Sequence, residues 1–166
     1  REPLVVVADG VRDPGNLGTI IRTADAAGVC AVVVTPGTVD PFGPKVTRSA
    51  AGSLFHLAVV PVAPEELWPL LKRAGLKIVV TDPHGGLSCF EADLGGPVAL
   101  VLGNETAGLA ASTRRLADLV VRVPLVGRAE SLNVSVAAAV VIYEALRQRM
   151  TRQSVRSSCK TPGPVV

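Results

Sequence analysis

Short apolar runs recur along the chain, and each is typical of a buried β-strand. They are Leu4–Ala8, Ala31–Thr35, Leu57–Val62, Lys77–Thr81, Val98–Leu102 and Leu119–Val123. Between them lie segments with helical spacing of apolar residues or with a proline at a helix start, namely 17–27, Pro44–Ser53, Pro64–Ala74 and Ser112–Ala117. Continuous apolar strands that alternate with helices predict an α/β fold, with a mainly parallel sheet flanked by helices.

A last helix, predicted from Val134 to Leu146, is apolar on nearly every side and has Ser135 and Glu144 as its strongly polar residues. A helix of this kind is buried on more than one side. One side carries Val136, Val140 and Tyr143, and another carries Ala138, Val141, Ile142 and Ala145. Because a single core covers only one of these sides well, we expect the other at the two-fold contact of a homodimer.

Three polar loops follow predicted strands, at residues 9–18, 103–108 and 127–133. Ligands of open α/β sheets bind beyond the carboxyl ends of the strands, so we expect these loops to meet at one site. Glu105 in the second loop is a candidate acid or base, although a glutamate at a strand end is often only a solvated loop residue. Ser131 and Asn133 either cap the last helix or face a ligand at its N-terminus.

Arg22, in the first predicted helix, has two interpretations. Composition alone favours a solvated surface pair with Asp25, three residues further along the helix. The alternative is a contact to a phosphate or reactive group just below the loop that carries Asn16. His56 and His84 have no carboxylate or serine partner nearby in the sequence, so the chemistry of a hydrolytic triad has little support.

Missing motifs argue against several classes of protein. Residues 9–18 contain no G-x-G-x-x-G, the dinucleotide-binding fingerprint that a Rossmann-like oxidoreductase requires. The glycines of 103–108 have the P-loop spacing, but Leu109 and Ala110 stand where a nucleotide triphosphatase needs Lys and Ser or Thr. The three widely spaced cysteines form neither a disulfide framework nor a zinc site, and they favour the reducing cytoplasm. We expect no metal and no membrane span.

Three stretches together resemble the motifs of the SpoU (TrmH-like) RNA 2′-O-ribose methyltransferase family of the SPOUT superfamily. They are Asn16–Ala24 (NLGTIIRTA), Val101–Gly108 (VLGNETAG), and Val123–Leu125 (VPL) with Ser131–Ala137 (SLNVSVA). They occur in the order and spacing of the family and span nearly the whole chain. The resemblance implies a trefoil knot in the C-terminal part, S-adenosyl-L-methionine as cofactor, no metal, and a homodimer packed through the knot.

The resemblance also implies roles for individual residues. The cofactor would be held, largely through backbone groups, by Gly103, Asn104, Val123, Pro124, Leu125, Leu132 and Asn133. Catalysis and placement of the target ribose are implied for Asn16, Arg22, Glu105, Ser131 and Asn133. An arginine essentially never loses its proton in a protein, so stabilising negative charge on the 2′-oxygen is the easier role for Arg22. Glu105 remains the rival base.

The expected substrate is RNA, with ribosomal RNA favoured over transfer RNA. The net charge is +3 and only 3% of residues are aromatic, so contacts to phosphates are more available than base stacking. We expect Arg22, Arg48 and Arg128 to bind RNA. Two alternatives stay open: a tRNA 2′-O-methyltransferase, and a catalytically idle RNA-binding factor on the same fold. We expect a catalytic domain at 1–150, a flexible basic tail at 151–166, and a missing upstream RNA-binding domain.

Overall fold

The computed structural model describes residues 2–103 and 111–158 of the chain. Within these ranges the strands are β1 (Leu4–Ala8), β2 (Ala31–Val34), β3 (Ala58–Pro61), β4 (Lys77–Thr81), β5 (Leu87–Ser88), β6 (Val98–Leu102) and β7 (Leu119–Arg122). The helices are α1 (Pro14–Ala26), α2 (Pro44–Ala50), α3 (Pro64–Arg73), α4 (Ala111–Arg115) and α5 (Val134–Ser158), with a 3₁₀ turn at Ser53–Phe55. The predicted alternation of strands and helices is therefore confirmed.

The strands form one sheet in the order β3-β2-β1-β6-β4-β7-β5, and every pairing is parallel. β1 and β6 lie at its centre, where Val6 pairs with Val32 on one side and with Leu100 on the other. All five residues of β6 are buried. Strands covered on both faces have no need of polar residues, which explains their unbroken apolar runs. The predicted α/β fold with a mainly parallel sheet is confirmed.

Each face of the sheet packs against its own helices. Alternate side chains of β1 and β6 point to one face, where they meet α1, α2 and α5 in the larger core cluster. The intervening residues, such as Val7 and Val101, point to the other face and pack against Leu67, Trp68 and Leu71 of α3. Pro69 lies inside α3 without ending it.

The N-terminal turn of α1 packs closely against α2. Asp13 caps α1, since its Oδ1 accepts a hydrogen bond from the Asn16 backbone N–H at 2.8 Å. A Cβ atom on Gly18 would lie 2.4 Å from the Cβ of Ser49, so only glycine allows this approach. At the other end of the helix, Gly28 takes a positive φ of 70°, as its predicted role in ending α1 requires.

The structure differs from the predicted elements in three further places. The helix predicted to reach Ser53 ends at Ala50, because Ala51 takes the left-handed conformation (φ 48°). The two-residue strand β5 was not predicted, since so short a segment carries no periodicity. The frayed tail expected from Thr151 is wrong as far as Ser158, because α5 continues to that residue. Arg152 there donates to Asp93 Oδ1 at 2.6 Å. Residues 159–166 lie outside the described part of the chain.

The two sides of α5 differ as predicted. Ala138, Val141, Ile142 and Ala145 are fully buried against the sheet. Val136 and Tyr143 on the other side are each 49% exposed, and Val140 between them is half-buried. The trefoil knot implied by the resemblance stays a prediction, because the path of the chain through 104–110 lies outside the described residues.

Candidate functional site

The first turn of α1, which lies in the first predicted polar segment 9–18, meets the third polar loop at the carboxyl edge of the sheet, where β1 ends and α5 begins. The side-chain amide of Asn133 donates from Nδ2 to Oδ1 of Asn16 across 3.0 Å, joining residues 117 positions apart in sequence. Two side chains that are far apart in the sequence are thus in direct contact in the fold. The predicted meeting of the first and third loops is confirmed. Asn104 and Glu105 of the second loop lie outside the described residues.

Asn133 is fixed in orientation because it caps α5. Its Oδ1 accepts from the backbone N–H of Ser135 at 2.9 Å and from the Ser135 hydroxyl at 2.7 Å. A side-chain oxygen used in this way satisfies one of the free N–H groups at a helix start. The Asn133 amide nitrogen therefore points away from the helix and towards Asn16. Of the two interpretations of this residue, helix capping is confirmed, and the contact of its amide with a ligand stays a prediction.

The loop before Asn133 exposes apolar side chains. Leu125, Val126 and Leu132 are exposed, and Val123 and Pro124 are half-buried. Ser131 is exposed, and so is Arg128. Gly103, the last described residue before 104–110, is half-buried at the end of β6. The predicted cofactor residues 123–125 and 132–133 are therefore mainly apolar and at least partly exposed, and Asn133 among them contacts Asn16.

Arg22 is exposed on α1, and its guanidinium makes no hydrogen bond or ion pair with any described residue. The surface pair with Asp25 is not formed. Asp25 instead faces His56, with Oδ2 and Nδ1 3.8 Å apart. His56 thus has a carboxylate neighbour that the sequence did not reveal. Arg48 on α2 is also exposed. Both arginines are available to a ligand.

Two aspartates that sequence reasoning missed lie at the same edge. Asp9 follows β1 and accepts from the hydroxyls of Thr35 at 2.5 Å and Thr113 at 3.2 Å. Asp82 follows β4 and lies 3.3 Å from a guanidinium nitrogen of Arg114. The available signal was their position, since each is the first residue after a buried strand.

Other kinds of site can be described more briefly. In the described ranges, no group of His, Cys, Asp and Glu side chains is arranged to hold a metal ion. Nor does any helix there combine the length and apolarity needed to cross a membrane. A cleft of about 710 Å³ opens at the amino edge of the sheet, remote from Asn16, and is lined by Leu4, Cys30, Arg149, Arg152 and neighbouring residues.

Comparison with known proteins adds family membership to this geometry. The model of the SpoU rRNA Methylase family matches residues 3–143. The 23S rRNA (guanosine(2553)-2′-O)-methyltransferase RlmP of Bacillus subtilis is 48% identical over 139 residues, which are 84% of this chain and 56% of that protein.

Solved structures agree with this match. The SpoU methyltransferase AviRb from Streptomyces viridochromogenes has a TM-score of 0.86 and 43% identity, over 92% of this chain and 62% of that one. An AdoMet-bound rRNA methyltransferase from Sinorhizobium meliloti has a TM-score of 0.84 and 40% identity, over 89% and 57%. The chain thus spans little more than half the length of these relatives. It belongs to the SpoU rRNA methylase family.

Proposed function

We propose that this chain is the catalytic domain of an S-adenosylmethionine-dependent 2′-O-ribose methyltransferase that acts on ribosomal RNA. The hydrogen bond between Asn16 and Asn133 carries the proposal, because it unites two of the family's motifs at the edge where α/β proteins bind ligands. The names of the relatives supply the substrate class, since RlmP is named for 23S rRNA. A cytoplasmic location follows from a ribosomal RNA substrate.

The accessible segment 123–133 fits S-adenosylmethionine. Adenine is flat and largely apolar, and Leu125 and Leu132 offer it exposed apolar side chains. We assign cofactor binding to Gly103, Asn104, Val123, Pro124, Leu125, Leu132 and Asn133. When bound, the cofactor supplies an electrophilic methyl group on a sulfonium sulfur.

The protein's own part in the reaction is to align the ribose and to stabilise charge. The 2′-hydroxyl must lose its proton as its oxygen gains the methyl group, so negative charge builds on that oxygen. The exposed guanidinium of Arg22, which has no hydrogen-bond or ion-pair partner among the described residues, can stabilise this charge or hold the adjacent phosphate. The fixed amides of Asn16 and Asn133 can orient the ribose hydroxyls, with exposed Ser131 beside them. Glu105 is the proposed proton acceptor.

Transfer of a radiolabelled methyl group to RNA tests this function directly. We expect label in a 23S rRNA transcript, at a ribose that alkali then fails to cleave, and little label in a tRNA transcript. The reverse preference would favour the tRNA alternative. Binding of both RNA and S-adenosylmethionine without transfer would favour the idle RNA-binding factor. A matched Asn133→Ser variant keeps a capping oxygen but loses the amide donor to Asn16, so it separates helix capping from catalysis.

We also propose that the exposed side of α5 forms a two-fold contact between two copies of the chain. Leaving Val136 and Tyr143 half in water forgoes about half of the roughly 1.5–3 kcal/mol that full burial of a large apolar side chain contributes. A self-complementary apolar stripe on one helix suits a symmetric dimer. Since this helix begins at Asn133, a dimer there would place the cofactor segment near the partner chain.

Light scattering of Val136→Asp tests the dimer. We expect the wild type to be dimeric and Val136→Asp to be monomeric at micromolar concentration. Val60→Asp, at an exposed position of the edge strand β3, is the matched control and should stay dimeric. Ala138→Asp is unsuitable, because Ala138 is fully buried in the core and a charge there would unfold the monomer. A monomeric wild type would refute the proposed contact.

A third element of the proposal concerns RNA contacts. Arg22, Arg48 and Arg128 are exposed, and such arginines bind phosphates independently of sequence. Each phosphate contact that is lost should make RNA binding less dependent on salt, by about one unit in the slope of log affinity against log salt. Arg48→Ala and Arg128→Ala should each show this change.

A further inference from the structure

The short helix α2 carries two basic side chains and is flanked by two exposed aromatic rings. Lys45 and Arg48 are exposed and lie three positions apart, so they share one side of the helix. Phe42 lies just before α2 and Phe55 in the 3₁₀ turn just after it, and they are 58% and 87% exposed. Aromatic residues are scarce in this chain, yet two of its three phenylalanines lie here. We call these four residues the α2 patch.

The local fold explains why both rings face the solvent. In the 3₁₀ turn, Ser53 is buried and Leu54 packs against the core, which leaves Phe55 on the outside. Phe42 is fixed through its backbone, because its N–H donates to Oδ1 of Asp40 at 3.0 Å. Neither phenylalanine belongs to a core cluster of the described residues. Both rings are therefore available to a ligand.

The charge of the patch is positive. α2 contains no acidic residue, and Lys45 and Arg48 form no ion pair with a carboxylate in the described ranges. With seven residues, α2 is about 10 Å long, so one extended polyanion can reach both cations and both rings. Exposed aromatic rings next to cations are what proteins use to bind single-stranded nucleic acid, with bases on the rings and phosphates on the cations.

The patch adjoins the candidate site at both ends of α1. The hydroxyl of Ser49 in α2 donates to the carbonyl of Gly15, next to Asn16, at 3.0 Å. Contact therefore exists between α2 and the turn that meets Asn133.

The second link joins the 3₁₀ turn to α1. His56, the residue after Phe55, has its Nδ1 3.8 Å from Oδ2 of Asp25. Asp25 lies three positions after Arg22, and residues at this spacing are neighbours on a helix surface. Phe55 is thus close to the part of α1 that carries Arg22.

We propose that the α2 patch binds a single-stranded segment of the RNA next to the target ribose. Phe42 and Phe55 stack on unpaired bases, and Lys45 and Arg48 hold the phosphates between them. The inference rests on the proposed function, which makes RNA the substrate and places its ribose near Arg22. Stacking accepts any base, but bases paired in a duplex are not free to stack on a side chain. The patch therefore selects unpaired RNA without selecting its sequence.

The double variant Phe42→Leu, Phe55→Leu removes both rings and keeps apolar side chains. Fluorescence anisotropy with a labelled single-stranded adenylate oligonucleotide should show binding weakened about tenfold or more. Binding of an RNA duplex of the same length should stay within about twofold of wild type. The matched control is Phe90→Leu, since Phe90 is 54% exposed but follows β5, at the opposite end of the sheet from β3 and β2. This control should bind the oligonucleotide like wild type.

A second pair of variants separates charge from stacking. Lys45→Met, Arg48→Met should lower the slope of log affinity against log salt by about 1–2 units, as expected for the loss of two phosphate contacts. Lys72→Met, Arg73→Met alters two exposed cations at the end of α3, on the other face of the sheet, and should leave the slope unchanged. The phenylalanine variant should keep the wild-type slope, because it loses no charge.

Thermal unfolding and calorimetric titration with S-adenosylmethionine show whether each variant is folded and keeps its cofactor site. Wild-type affinity of the phenylalanine variant for the oligonucleotide would overturn the α2 patch, and so would an equal loss in Phe90→Leu. A change of oligomeric state in light scattering, with RNA affinity unaltered, would make the patch a protein contact and overturn it too. A wild type that binds the oligonucleotide through these residues but methylates no RNA would instead refute the proposed function and leave the patch standing.

Discussion

The two edges of the sheet use arginine in opposite ways. At the amino edge, Arg149 of α5 donates to the backbone carbonyls of Glu2 at 3.2 Å, Pro3 at 3.3 Å and Gly96. Its guanidinium is occupied in holding the start of β1 beside the residues before β6. On α1, the helix that begins at the carboxyl edge, the exposed guanidinium of Arg22 makes no hydrogen bond or ion pair with any described residue. The first arginine completes the fold, whereas the second is proposed to act on a ligand.

The cleft at the amino edge is lined by side chains that are already engaged. The cleft of about 710 Å³ lies at the amino edge, but the arginines beside it are engaged, Arg149 with backbone carbonyls and Arg152 with Asp93. The carboxyl edge instead presents the joined amides of Asn16 and Asn133, at the end of the strands where α/β proteins bind ligands.

The largest effect on this comparison is expected from Arg22→Ala. Methyl transfer should fall by roughly 10²-fold or more, while cofactor binding and thermal stability stay close to wild type, because the side chain supports charge and not the fold. Single-turnover transfer to a ribosomal RNA transcript measures the rate. Arg22→Lys keeps the charge without the planar fork and should recover only part of it. Near-wild-type rates for Arg22→Ala would show that Arg22 is an ordinary surface residue without a role in methyl transfer.

Much of the fold and part of the candidate site could be predicted from the sequence, for physical reasons. Strands such as Val98–Leu102 are buried on both faces, so each can be recognised in the sequence as an unbroken apolar run. The loops at their carboxyl ends are recognisable by polar residues, and the family resemblance connected Asn16 with Asn133. The contacts of Thr113 with Asp9 and of Arg114 with Asp82 were missed because the partners lie 104 and 32 positions apart in sequence. Local patterns carry no information about such pairings.

The length of α5 was underestimated for a related reason. Beyond Leu146 most of its residues are polar, which is typical of a frayed end. Gln148 in fact donates to the Ala92 carbonyl and accepts from the Leu94 N–H, and Arg149 bonds the strand starts. Polar tertiary contacts hold this part of the helix, and a search for apolar periodicity cannot detect them.

The second prediction concerns Arg149 at the amino edge, where we expect a substitution to lower stability and not function. Arg149→Met removes hydrogen bonds to three carbonyls and should lower the free energy of unfolding by about 1–3 kcal/mol. Affinity for S-adenosylmethionine should not change, because the site lies at the other end of the strands. Urea unfolding and calorimetric titration measure the two quantities. If Arg149→Met weakens cofactor binding and Arg22→Ala lowers stability, the division of labour between the edges is wrong.

A smaller effect is expected from Glu144, which lies between the two edges on α5. Hydrogen bonds from Arg147, at 2.8 Å to each oxygen, lower the pKa of this carboxyl, and Gln148 adds to the effect. A carboxylate with a lowered pKa stabilises the fold fully above its unfolded-state pKa, and this stability is lost as pH falls through the folded-state pKa.

Glu144→Gln should therefore lower the melting temperature by a few degrees at neutral pH, and the difference from wild type should shrink in acid. The pKa of Asp93 is also lowered, chiefly because its carboxylate accepts from the Gly95 N–H. Protonation of Asp93 in acid therefore also destabilises the fold, in wild type and variant alike. The difference between wild type and Glu144→Gln isolates Glu144, since Asp93 is present in both. A difference that is constant with pH would show that the charge of Glu144 contributes nothing.

The smallest expected effect comes from the thiols. Cys30 is exposed in the amino-edge cleft, whereas Cys89 is fully buried and its pKa is raised, mainly by burial. Because the thiolate is the reactive form, iodoacetamide should modify Cys30 long before Cys89. Peptide mass spectrometry locates the label. Modified protein should bind S-adenosylmethionine as tightly as unmodified protein, since the added group fills a cleft remote from Asn16. A Cys30→Ser control, treated in the same way, reports any effect of labelling elsewhere. Weaker binding that requires Cys30 would place the cofactor at the amino edge and overturn the comparison from which these predictions follow.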